Sequence, residues 1–136
     1  MKLKGNVESR EDFGSKDLRH FKNSIIYSLD GLKTSYSEER SLSLHFAMSV
    51  VVLLLGILFR ISLNEFILSL ILMGNLLCIE LLNTALEACV DLVTTKRHPL
   101  AKKSKDVASA ASFMMSMFAL IGELAIFIPH FIAVFK

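Results

Sequence analysis

Three long stretches nearly free of charge restrict this chain more than any other feature. Leu42 to Phe59 carries no formal charge over eighteen residues, and Arg60 ends it. Phe66 to Ile79 is apolar apart from Ser69, Gly74 and Asn75, and Val107 to Gly122 is again free of charge. The first stretch is long enough to cross a hydrocarbon layer of about 30 Å if its ends are anchored at the interface. Charges crowd elsewhere. Met1 to Ser41 holds eight of the fifteen basic and seven of the thirteen acidic residues, and residues 92–105 add five cations and no anion. A soluble protein spreads charge along its exposed helix faces, so this segregation points to lipid. The apolar share of 53% agrees, since soluble domains lie at about 45–50% with glycine counted. A chain of 136 residues holds one domain, with no room for a soluble catalytic domain beside the membrane part.

The expected architecture is all-α: an amphipathic surface helix followed by three transmembrane helices. Residues 1–15 are polar, contain Gly5 and Gly14, and read as a flexible tail without a secretory signal. Ser15 is placed to cap a helix over about 16–37. In it Leu18, Phe21, Ile25, Leu29 and Leu32 form one stripe at intervals of three or four. A basic amphipathic helix beside a span belongs in the membrane interface. The spans are expected at about 42–60, 65–93 and 100–135, the last opening at Pro99, a residue suited to a first helical turn. The cations put the N-terminus and the 92–105 loop in the cytoplasm, with the 60–65 turn and the C-terminus outside. Cys78 and Cys89, about 16 Å apart along one helix, are too distant for a disulfide and read as buried small hydrophobes.

Chemistry gathers on the second span. Glu80, Asn83, Glu87 and Asp91 lie 0, 3, 7 and 11 residues along it. Glu87 and Asp91 fall about 20° either side of Glu80, and Asn83 about 60° away. Ionisable groups at membrane depth are costly and mark functional sites by default; interfacial residues facing water are the blander reading. Stacked carboxylates need positive charge among them. Magnesium would supply it, as would the lysines of the next loop, because a loop of about six residues brings Lys105 and Asp106 to the end of the second span. Such a site suits a nucleotide triphosphate, although no P-loop, dinucleotide fingerprint or Cys/His metal spacing is present. Glu123, alone in the third span, reads as an interhelical hydrogen bond. The pattern by itself fits a three-span protein with a cytoplasmic acidic site, and a proton-coupled transporter subunit or a small membrane scaffold nearly as well.

The run Glu80-Leu-Leu-Asn83-Thr-Ala-Leu-Glu87-Ala-Cys-Val-Asp91, followed by His98-Pro99-Leu-Ala-Lys102 and Lys105-Asp106-Val-Ala-Ser109, closely resembles the prokaryotic diacylglycerol kinases. The resemblance extends over about residues 19–130. It implies a small homotrimeric membrane lipid kinase of the bacterial plasma membrane, with ATP as co-substrate, magnesium as cofactor and no nucleic-acid partner. Glu80 matches the family's catalytic base for the lipid hydroxyl. Glu87 and Glu39, the latter beside Glu38, match the two metal-binding carboxylates. Tyr27, Lys96, Arg97, His98, Lys105 and Asp106 match nucleotide-contacting positions, as do the two metal carboxylates. Asn83, Asp91 and Ser109 match further polar positions of the site, Ser109 nearer the lipid. A basic nucleotide contact near the family's N-terminus falls at His20 by gapless counting, with Arg19 one place earlier. Ser104 stands where the family has alanine before its Lys-Asp pair. The His98-Pro99 run, and His45 six residues after Glu39, resemble the Gram-positive undecaprenol kinase branch rather than the diacylglycerol branch. The family's site lies between subunits, and Gly74, Ala85, Ala88, Ala108, Ala110 and Ala111 are small enough for close helix contact.

Overall fold

In the computed structural model, which describes the backbone of residues 8–134 and side chains from Asp17 onward, every element is a helix. Four follow in order: α1 (Glu8–Glu38), α2 (Arg40–Phe59), α3 (Leu63–Val93) and α4 (Pro99–Val134). The chain divides after Glu38 into α1 and a unit of the other three.

Helix α1 starts at Glu8, well before the expected Lys16, so Ser15 lies inside the helix rather than at its start. A single interior glycine such as Gly14 costs a helix about 1 kcal/mol, too little to break one of 31 residues. Of the expected tail, residues 1–7 lie outside the described part. The apolar stripe Leu18, Phe21, Ile25, Leu29 and Leu32 is exposed along its whole length, which suits a helix lying in an interface.

Helices α2, α3 and α4 are each long and apolar enough to cross a membrane. Lipid cannot hydrogen-bond a backbone, so such stretches close their own bonds as helix. Arg60 ends α2 in the left-handed region (φ 52°, ψ 45°). Its N–H donates to the carbonyl of Ile57 and that of Ile61 to Gly56, both at 3.2 Å, which is a Schellman ending. Only residues 60–62 separate α2 from α3, and α3 starts two residues before the expected 65. Ser62 is the reason: it forms a capping box with Glu65, whose carboxylate accepts the Ser62 N–H at 2.8 Å while Ser62 Oγ accepts the Glu65 N–H at 3.3 Å.

The buried positions form stripes: Leu42, Ser49 and Gly56 on α2, Ser69, Met73, Leu76 and Glu80 on α3, and Ala108, Ser112, Ala119, Glu123 and Ile126 on α4. Met73, Leu76 and Ala119 make the centre, with Val52, Leu72 and Met115 against it. Small residues fill many of these places, because helices in lipid gain by close approach rather than by hiding apolar surface from water. At Gly122 a Cβ would stand 2.6 Å from Leu72 Cδ1, whereas at Gly74 it would meet nothing within 4 Å. Close approach within the chain therefore falls at Gly122, and Gly74 leaves its face of α3 open. Ala108 is buried, but Ala85, Ala88, Ala110 and Ala111 face outward. Cys78 and Cys89 are free and exposed, contrary to the expectation of buried thiols. Cys78 lies two residues, about 200°, from Leu76 on the buried stripe.

Candidate active site

Glu80 is only 5% exposed, and an ionised carboxylate at that depth is expensive unless donors surround it. Two other helices supply them. Ser112 of α4 donates its hydroxyl to Oε1, and His45 of α2 places Nε2 at 3.1 Å from the same oxygen. Ser41, on the first turn of α2, donates to Oε2 at 3.3 Å. The Glu80 side chain is thus the point where the three membrane helices meet through polar groups. Sequence periodicity found Glu80 but not Ser41, His45 or Ser112. Ser112 does fall on the α4 stripe with Ala108 and Ala119, four residues after one and seven before the other; nothing in the sequence pairs it with a residue 32 positions away.

Further along α3 the stripe leaves the protein interior. Asn83 donates its amide to Glu87 Oε1 at 3.1 Å, and the amide oxygen of Asn83 is buried without a partner. Asp91 is exposed and holds Lys105 of α4 at 2.7 and 2.8 Å, one contact to each carboxylate oxygen. This is the meeting of span ends expected from the short loop, which runs over residues 94–98. Lys102 pairs with Asp106 one turn along α4. At this corner lies a cavity of about 810 Å³ whose walls include Asp91, Lys96, Arg97, His98, Lys105 and Asp106. Five of the expected nucleotide-contacting residues are therefore gathered in one hollow rich in cations.

The remaining candidates are not among the residues that wall it. Tyr27 shares a hollow on α1 with His20, Asn23, Ser24 and Ser28. Ser109 is exposed on α4, three residues before Ser112. Glu39 has an extended backbone (φ −109°, ψ 109°) immediately before α2, and its carboxylate does not cap that helix. Among the described residues no three His, Cys, Asp or Glu side chains are grouped to hold a metal by themselves. The available donors are nevertheless of the kind magnesium takes: carboxylates at Glu39 and Glu87, and the orphaned amide oxygen of Asn83 beside Glu87. Magnesium is commonly held by one or two carboxylates together with substrate phosphates and water, so this set fits it.

The far end of the unit has polar contacts of its own. Ser69 donates to Glu123 at 2.9 Å between α3 and α4, the interhelical bond expected for Glu123. His130 places Nε2 3.7 Å from Glu65. Its other ring nitrogen lies 2.9 Å from the Ile126 carbonyl.

The family model described as prokaryotic diacylglycerol kinase matches residues 26–127 of this chain. An undecaprenol kinase of Bacillus subtilis is 37% identical over 113 residues, covering 83% of this chain and 92% of the relative. A diacylglycerol kinase of Pseudomonas aeruginosa is 36% identical over 74% of this chain and 82% of its own length. One of Haemophilus influenzae is 33% identical over 71% and 82%.

Proposed function

The chain belongs to the prokaryotic diacylglycerol kinase family and is a multi-pass membrane lipid kinase; from that premise we propose that it phosphorylates undecaprenol with ATP. The buried, donor-clasped Glu80 carries this reading, because it stands on the same helix as the cation-rich hollow and about 16 Å from Asp91 along the axis. A carboxylate at membrane depth meets the hydroxyl of a lipid; the hollow beyond it meets the nucleotide. The choice of undecaprenol is supported by the similarity to the B. subtilis enzyme over 92% of that protein and by the His98-Pro99 run.

In this reading Lys96, Arg97, His98, Lys105 and Asp106 bind the nucleotide, with Lys105 offsetting charge that develops on the transferred phosphoryl group. Tyr27 and either His20 or Arg19 of α1 add contacts. Glu80 orients the lipid hydroxyl and accepts its proton, Ser109 lies towards the lipid, and Asn83 and Asp91 hold Glu87 and Lys105 in place. Glu39 and Glu87 would hold magnesium, whose charge neutralises phosphate oxygens when bound. Phosphoryl transfer asks mainly for positioning and charge compensation, which this residue set supplies without a covalent step on the protein. The active unit is a homotrimer with its sites at the cytoplasmic surface: three spans bury too little to enclose a nucleotide and a lipid head, and Ala85, Ala88, Ala110 and Ala111 offer small outward faces.

The test is a competition. Purified protein in lipid–detergent micelles receives labelled ATP with undecaprenol and diacylglycerol together. Label is expected mainly in undecaprenyl phosphate, and Glu80→Gln should lower turnover by about 10²–10⁴-fold while the protein still assembles. Label mainly in phosphatidic acid would replace undecaprenol by diacylglycerol.

A further inference from the structure

The two oxygens of Glu80 are unequally engaged. Oε1 accepts the Ser112 hydroxyl and stands 3.1 Å from His45 Nε2. Among the described residues Oε2 accepts from the Ser41 hydroxyl alone, at 3.3 Å, long for an O–H···O bond, whose usual separation is about 2.7–2.8 Å. A carboxylate oxygen has two lone-pair directions. The Ser112 hydroxyl and, with Nε2 carrying its hydrogen, the His45 ring fill Oε1, whereas one distant donor leaves Oε2 with accepting capacity. We infer that His45 is a positioning residue for Glu80: it pins Oε1 from α2 and so presents Oε2 to the acceptor hydroxyl. This rests on the kinase reading above.

The lipid O–H proton passes to Glu80 Oε2 as the lipid oxygen bonds the γ-phosphorus of ATP. The bond from that phosphorus to the β–γ bridging oxygen breaks, and ADP leaves with the electron pair. His45 takes no part in these bonds. Its role is to fix the direction of Oε2, which requires Nε2 to carry a hydrogen.

The site is built to hold His45 where it is. Leu42, one turn earlier, is fully buried and anchors this end of α2. Ser49, one turn later and also buried, donates to the His45 carbonyl at 2.7 Å. A hydroxyl such as Ser112 swivels freely on its own carbon, whereas an imidazole nitrogen is fixed once its ring is placed. Two donors on Oε1 from different helices then set both the position and the plane of the carboxylate. Misplacing a reacting group by about 1 Å can cost about a hundredfold in rate, so loss of one of them is expected to be visible.

The experiment compares His45→Ala, His45→Gln and His45→Asn in the lipid-dependent assay, following kcat and KM for ATP separately, with thermal unfolding and assembled size as controls. His45→Ala should lower kcat by about ten- to a hundredfold with KM for ATP unchanged. Glutamine carries an N–H near the place of Nε2 and should restore most of kcat; asparagine, whose amide corresponds to Nδ1, should not. Glutamine cannot relay a proton, so rescue by it marks positioning. An unchanged kcat in His45→Ala, or a glutamine variant no better than asparagine, would overturn the inference. If His45→Ala fails to assemble, the Gln and Asn pair decides alone. A wild-type protein that phosphorylates no lipid would remove the kinase reading, and the inference with it; an active wild type with indifferent His45 variants removes the inference only.

Discussion

Lys105 and Asp91 form an ion pair in which both partners reach solvent, the side chains being 34% and 53% exposed. Pairs of this kind add little to stability, because water and salt screen them and two flexible side chains must be ordered. The same lysine at the wall of the cavity has a larger task if phosphates lie there, since charge developing in a transition state is sensitive to each fixed donor aimed at it. The two roles separate by measurement. Lys105→Ala is expected to lower kcat/KM for ATP by about a hundredfold or more while its unfolding temperature in micelles stays near that of the wild type. A large fall in unfolding temperature, with activity kept, would make the pair a structural tie. The acidic members of this site were legible in the sequence because one helical period places Glu80, Glu87 and Asp91 on one face. Their partners were legible only where a short loop forces the meeting, as with Lys105. Ser41 and Ser112, which lie 39 and 32 residues from Glu80, answer to helix packing, and periodicity within a helix carries no record of that.

The helices themselves were read from gaps in charge, and those gaps locate α2, α3 and α4 well because lipid excludes charge from the interior of each span. Their junctions were read less well. The break after Arg60 came out too long, although Ser62 and Glu65 spell a capping box that starts α3 at once. Where an outward-facing side chain meets lipid instead of water, hydrophobicity no longer tells inside from outside, which is why Cys78 and Cys89 were placed wrongly. Small residues were a partial guide for the same reason. Gly122 is the tightest glycine among the described residues: a Cβ there falls 2.6 Å from Leu72 Cδ1, and Leu72 belongs to the layer around Met73 and Ala119. Because the atom in the way ends a rotatable side chain, Gly122→Ala can be met by a turn of Leu72. Gly122→Val brings two more methyl groups and should destabilise the α3–α4 contact by about 1–3 kcal/mol, read as a lowered unfolding temperature in micelles beside a milder alanine variant. Equal stability of valine and glycine proteins would mean that the two helices separate there without penalty.

At the scale of the whole chain, function depends on which side of the membrane the cavity faces. Three spans place the two ends of the α2–α4 unit on opposite sides. The 94–98 loop and the start of α4 carry Lys96, Arg97, Lys102, Lys103 and Lys105, whereas the α2–α3 turn carries Arg60 alone. Cations flanking a span are retained on the cytoplasmic side, so by that rule the loop that walls the cavity is expected in the cytoplasm and the Ser62 turn outside. A kinase requires this orientation, because its ATP comes from the cytoplasm. In the proposed reading the lipid hydroxyl would then meet Glu80 from within the inner leaflet, with the nucleotide beyond it. Single cysteines test the arrangement directly. In a background with Cys78 and Cys89 changed to serine, Asn64→Cys and Thr95→Cys both fall on exposed positions. A membrane-impermeant maleimide applied to intact cells should label Asn64→Cys, and should reach Thr95→Cys only after the membrane is opened. The reverse pattern would turn the cation-rich hollow away from its nucleotide, and no residue assignment within the site could then support phosphoryl transfer from cytoplasmic ATP.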